Sequence, residues 1–141
     1  MKNKVGDDYL FVYGTLRKAF NLHWFKQIED DIQWLGLSEI RGALYDLGDY
    51  PGAVQEYNSV ITGDVFRMIY PKKVLAILDE YEGYDSTNEI QSLFVRQKES
   101  ILLTNGKDIE AWVYWYNRSV KDKRRIYCKD YLDYIKKNKT A

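Results

Sequence analysis

Two short stretches hold residue types that could do chemistry. The first is Leu78-Asp79-Glu80-Tyr81-Glu82-Gly83. Glu82 stands four residues after Leu78 in a helical pattern, so it shares that helix's apolar face. It also falls in the last turn, where the helix dipole disfavours negative charge. Burial and the dipole both favour the protonated form, and Asp79 and Glu80 repel a charge there in the same direction. A helix end built for stability alone would carry lysine at this position. A carboxyl titrating near neutral pH suits general acid/base work. A solvated acidic helix end is the other reading of the same residues.

The second stretch is Leu10-Phe11-Val12-Tyr13-Gly14-Thr15-Leu16-Arg17. It begins as a buried strand and stops at a glycine. Gly14 has no Cβ, so the backbone can turn there and a ligand can approach closely. Exposed N–H groups at such a strand end can hold an anionic small molecule. Hydrophobic strands also end in glycine for purely structural reasons.

Other reactive side chains are few. Cys128 is the single cysteine and His23 the single histidine. Cys128 lies in a segment with helical periodicity, where a lone cysteine reads as a small packing residue. His23 reads as a packing or surface residue. One Cys and one His cannot supply the usual zinc ligand set, and no metal is expected.

The elements that must position these residues follow from the pattern. Tyr9–Tyr13 reads as a central strand, apolar on both faces. A loop and a short helix follow, ending in Glu29-Asp30-Asp31. Residues 32–47 alternate loosely around Gly36 and Gly42, as two short strands or one bent strand with bulges. Asp49-Tyr50-Pro51-Gly52 reads as a turn, since Pro followed by Gly is the type II pattern. Val60–Ile69 is an interior strand. Pro71 opens a helix whose Val74, Leu75, Leu78 and Tyr81 form one stripe, and Gly83 closes it. Leu93–Leu103 and Ile109–Tyr116 are strands joined by a hairpin at Asn105-Gly106. Ile126–Lys137 reads as the last helix, with Tyr127, Tyr131, Tyr134 and Ile135 on one side.

The order β-α-β-β-β-α-β-β-α lacks the alternation of a doubly wound sheet. It predicts an α+β fold, a small mixed β-barrel flanked by a few helices. The 141 residues suit one domain. Residues 9–141 are assigned to it, the last helix included, and residues 1–8 read as a flexible N-terminus.

Hydrophobic residues make up 45% and charged residues 30%, a globular balance. No apolar run reaches the roughly 20 residues of a membrane span. Met1–Asp8 lacks the apolar core of a signal peptide, so a cytoplasmic location is expected. Net charge is zero. Residues 118–141 nevertheless hold nine Lys or Arg against three Asp. This reads as a solvated face, and no nucleic-acid partner is expected.

Four motifs in order complete the picture: Tyr13-Gly14-Thr15-Leu16-Arg17, Tyr50-Pro51-Gly52, Gly63-Asp64-Val65-Phe66, and Leu78-Asp79-x-x-Glu82-Gly83. From about Tyr9 to about Asn117 the chain resembles the γ-glutamylcyclotransferase-like family, which includes the γ-glutamylamine cyclotransferases and the AIG2-like proteins. The resemblance implies that Tyr13, Gly14, Thr15 and Leu16 cradle a γ-glutamyl moiety, with Pro51 and Gly52 as further substrate-binding residues. It implies that Glu82 is the catalytic acid/base and that no cofactor is used. The expected reaction cyclises a γ-glutamyl amine or γ-glutamyl amino acid to 5-oxoproline, and a small γ-glutamyl compound is the expected partner. A metabolite-binding module on the same scaffold is the alternative. Relatives often carry Tyr-x-Arg where this chain has Phe94-Val95-Arg96, which keeps the aromatic and loses its hydroxyl.

Overall fold

The computed structural model describes residues 8–14 and 23–139. The elements are β1 (Asp8–Val12), α1 (His23–Ile28), β2 (Ile32–Arg41), β3 (Ala43–Asp46), β4 (Pro51–Val54), β5 (Val60–Met68), α2 (Pro71–Glu82), β6 (Phe94–Leu102), β7 (Asp108–Tyr116), β8 (Arg124–Ile126) and α3 (Tyr131–Lys139). Strands dominate and helices are few, the α+β class that the sequence pattern predicts. Five strands form one sheet in the order β2-β5-β1-β7-β6, and three form a second in the order β4-β3-β8. β1 lies antiparallel to β5 and parallel to β7.

The central place of β1 follows from its side chains. Leu10, Phe11 and Val12 are all buried. Leu10 and Val12 face a core built with Phe66, Val74 and Leu78. Phe11 and Tyr13 face the other way, onto a core with Leu44, Ala53, Ile126, Tyr131 and Tyr134. The five-stranded sheet is thus covered by α2 on one face and by the small sheet and α3 on the other. The period-2 alternation of β1 divides its residues between the two layers.

The strands do not close into a barrel by hydrogen-bonded ladders among the described residues. Edge strands β2 and β6 do approach each other, and the Ser38 hydroxyl donates to the Leu102 carbonyl at 2.8 Å. A side chain therefore spans the gap that a ladder would fill. Residues 32–47 resolve into β2 and β3, with an irregular register between Trp34 and Gly36 and with Gly42 at the break. Asp64, buried in β5, accepts from the Trp34 indole at 3.0 Å.

Two boundaries differ from the sequence pattern. Pro51 and Gly52 are not in the turn; they open β4, where Pro51 pairs with Asp46. The chain reverses over the preceding residues, fastened by a Leu47 N–H to Tyr50 O bond of 3.0 Å. β4 is an edge strand, and proline is tolerated at the first position of such a strand. The last helix begins at Tyr131, not Ile126. Ile126 belongs instead to β8 and pairs with Leu44, while Tyr127 lies outside the helix and is 84% exposed. The Asp130 carboxylate accepts from the Leu132 N–H at 2.9 Å, which caps the helix start.

Candidate active site

The helix α2 carries the first half of the site. Its amphipathic stripe buries Val74 and Leu78 completely. At its end Gly83 takes the left-handed conformation, with φ 69°. The Tyr84 N–H donates to the Asp79 carbonyl at 2.8 Å and the Gly83 N–H to the Glu80 carbonyl at 3.3 Å. This pair of bonds is the Schellman arrangement. It fixes the backbone direction at Glu82, the last helical residue.

The second half comes from β1 and the start of β4. Gly14 follows the strand, and a Cβ there would stand 2.8 Å from Pro51 Cγ. Only glycine lets Pro51 pack this closely. Tyr13 is buried, and its hydroxyl is engaged in structural bonds. It donates to the Tyr114 carbonyl at 2.6 Å and accepts from the Ala53 N–H at 3.2 Å. Those two bonds tie β1 to β7 and β4, and burial holds the phenol well above its ordinary pKa.

Both halves meet at one cavity of about 120 Å³. Tyr13 and Gly14 line it from the strand end, Tyr50 and Pro51 from the small sheet, and Tyr81 and Glu82 from the helix. Leu93, Phe94 and Tyr114 complete much of the remaining wall. The Glu82 carboxyl pKa is raised from 4.5 to about 8, first by burial and second by the charge of Asp79. Burial favours the neutral acid because the apolar wall cannot solvate the anion. Tyr50 is also pushed upward, by its own burial and then by Glu82. The cavity thus holds a carboxyl group able to gain or lose a proton near neutral pH, ringed by aromatic side chains.

Of the residues singled out from the sequence, Tyr13, Gly14, Pro51 and Glu82 line this cavity. Gly52 is not among its lining; the space a Cβ would need there is taken by Leu47 and Tyr116. Thr15 and Leu16 lie outside the described residues, as does the His23 side chain. Cys128 is a half-buried thiol packed on the core, 3.6 Å from the Lys137 ammonium, and not part of the cavity wall. Among the described residues no group of three or more His, Cys, Asp or Glu is placed to hold a metal ion. Nor is any helix there long and apolar enough to cross a membrane.

Sequence reasoning missed Tyr114. Its hydroxyl donates to Asp79 at 2.6 Å, beside a two-pronged Arg96–Asp79 pair at 2.8 and 3.1 Å. Phe94 is buried in the cavity wall, edge-on to Tyr116 at 5.5 Å. The hairpin register locates Tyr114, but only once the loop is seen to take three residues, Thr104–Gly106, with the Leu103 N–H on the Lys107 carbonyl. Arg96 pairs with Tyr114 and Phe94 with Tyr116, so these residues share one face of the sheet.

Comparison with known proteins adds the family. A family model described as gamma-glutamyl cyclotransferase, AIG2-like, matches residues 10–133. A putative gamma-glutamylcyclotransferase of Methanocaldococcus jannaschii is 34% identical, over 79% of this chain and 87% of that one. The gamma-L-glutamyl-butirosin B gamma-glutamyl cyclotransferase of Niallia circulans is 31% identical, over 84% and 72%. The solution structure of the family protein YtfP from Escherichia coli superposes with a TM-score of 0.61 at 33% identity, covering 90% and 98% of the two chains. A mouse AIG2-like protein shares the fold, with a TM-score of 0.69 at 17% identity over 88% and 87% of the two chains.

Proposed function

The chain belongs to the gamma-glutamyl cyclotransferase, AIG2-like family, and from that premise we propose that it converts a γ-glutamyl amine or γ-glutamyl amino acid to 5-oxoproline and a free amine, with Glu82 as general acid/base. One observation carries the reading: the Glu82 carboxyl, with its raised pKa, shares a small cavity with the Tyr13-Gly14 strand end.

The chemistry asks little beyond what this site offers. The substrate's α-amine attacks its own γ-carbonyl carbon. The new C–N bond closes a five-membered ring, and the bond to the leaving nitrogen breaks. Attack within one molecule gains most from being held in a near-attack shape, which a tight aromatic cavity favours. The α-amine arrives as an ammonium. Glu82 takes one of its protons before attack, and the ring nitrogen sheds a second after it. Glu82 passes a proton to the departing nitrogen, which leaves as the amine; the remaining proton goes to that amine or to water. A bound ammonium also favours the ionised form of Glu82, so binding itself readies the base. The Niallia circulans relative is named for a γ-glutamyl group on butirosin B, and γ-glutamyl groups on other amines form the class proposed here.

The test is release of 5-oxoproline from a panel of γ-glutamyl amines and γ-glutamyl amino acids, by wild-type protein and by Glu82→Gln. Turnover by the wild type and its loss in Glu82→Gln are expected. Unchanged turnover in the variant contradicts the assigned role. Protection of the protein against heat by these compounds without turnover would favour a binding module instead.

A further inference from the structure

Asp79 lies one turn before Glu82 and makes contacts that a surface helix residue would not need. Arg96 from β6 grips its carboxylate with two N–H groups, Nε to Oδ1 at 2.8 Å and Nη2 to Oδ2 at 3.1 Å. The Tyr114 hydroxyl from β7 donates to the same Oδ1 at 2.6 Å. The two donors come from paired positions on neighbouring strands, so one carboxylate can take both. The pair is mostly out of solvent, with the Arg96 and Asp79 side chains 17% and 22% exposed. The guanidinium also lies over the Trp112 ring at 4.4 Å and the Tyr84 ring at 5.2 Å. The backbone carbonyl of Asp79 is used as well, by the Tyr84 N–H.

We propose that Asp79 is a positioning residue: held by Arg96 and Tyr114, it fixes the last turn of α2 against the β6–β7 hairpin and so places the Glu82 carboxyl in the cavity wall. The proposal rests on the reading of Glu82 as acid/base. Residues three apart on a helix differ by about 60° in direction, so pinning Asp79 fixes the rotation at which Glu82 projects. Two-pronged, charge-assisted pairing is directional as well as strong. Tyr114 links the parts directly, because its ring lines the cavity while its hydroxyl holds Asp79.

The arrangement has an electrostatic consequence. The groups that act on Glu82, or are acted on by it, are Asp79 on α2, Tyr13 just after β1, Tyr50 before β4 and Tyr114 on β7. The three phenols are all pushed above their ordinary range and stay neutral. Asp79 is therefore the charged group among them, and Arg96 offsets its charge. Removing Asp79's charge must make Glu82 easier to ionise. Removing Arg96's charge must make it harder. A role confined to packing would not give opposite shifts.

The experiment is a carboxyl ¹³C NMR titration of glutamate-labelled protein, with the Glu82 signal assigned through Glu82→Gln. Asp79→Asn should move the Glu82 midpoint down from its wild-type value, and Arg96→Met should move it up. Shifts in the same direction, or none in either variant, overturn the proposal. With a γ-glutamyl substrate, both variants should lose at least tenfold in kcat with a smaller change in KM, and Arg96→Lys should restore part of it. Full recovery in Arg96→Lys, which keeps the charge and loses the fork, counts against the two-pronged hold. Tyr114→Phe keeps the ring in the wall and serves as a well-packed variant; an unchanged kcat there overturns the part given to its hydroxyl. The titration needs no turnover, so it judges Asp79 even if Glu82→Gln stays active and the cyclisation reading fails.

Discussion

At the scale of single residues, Glu82 dominates. Its carboxyl has a raised pKa, from 4.5 to about 8. The folded protein therefore binds this proton more tightly than the unfolded chain does. Stability from this group is intact below about pH 4.5, falls as pH rises, and is fully lost above about pH 8. Replacing Glu82 by Gln removes the charge and keeps the shape. The variant should melt at a higher temperature than wild type at pH 9, with the gap nearly closed at pH 5; a gap independent of pH would contradict the part-buried, proton-holding carboxyl. Gly14 makes a second prediction. A methyl group there would meet Pro51 Cγ at 2.8 Å. Gly14→Ala should cost about 1–3 kcal/mol in denaturant unfolding, and it should reduce γ-glutamyl turnover by displacing one cavity wall. Glu82 was legible because its spacing from Leu78 places it on an apolar face, and burial and Asp79 are two of the causes that spacing foretells. Glu80 is exposed and is not among the causes of the shift. The tasks of the Tyr13 hydroxyl were not legible, since its partners lie 101 and 40 residues away.

At the scale of elements, the end of α2 sets the geometry. Pro71 at the start and Gly83 after the end were legible from residue type alone, because each solves a local backbone problem. Gly83 sits at φ 69°. Alanine there should cost about 1–2 kcal/mol, measured by chemical unfolding. It should also lower kcat, because the turn carrying Glu82 shifts with the cap. No loss of either would mean that the cap does not hold the site. For α3 the cap is Asp130, and Asp130→Ala should cost about 1 kcal/mol without touching turnover. That helix start was misread because β8 is only three residues long, Arg124-Arg125-Ile126. Two arginines do not announce a strand, and its partner β3 lies far earlier in the chain. The β6–β7 hairpin was legible through Asn105-Gly106. Its register was not: a two-residue Asn-Gly turn would put Trp115 opposite Arg96. The loop takes three residues instead, closed by the Leu103 N–H on the Lys107 carbonyl, and so brings Tyr114 there, where both reach back to a helix residue.

At the scale of the whole molecule, the cavity exists because several distant segments converge. β1 ends in the middle of the large sheet, β4 lies across that end, and the last turn of α2 meets them from the helix layer. The α+β class was legible from the count and order of elements. The division into two sheets was not, because strand pairing between distant segments leaves no local mark on the sequence. The same convergence makes the central claim direct to test. If this cavity cyclises γ-glutamyl compounds through Glu82, kcat/KM for 5-oxoproline release should rise with pH through a step near 8, the value to which Glu82 is raised. Glu82→Gln should show no activity at any pH. A Glu82→Gln protein that is folded and releases 5-oxoproline at the wild-type rate would contradict the account.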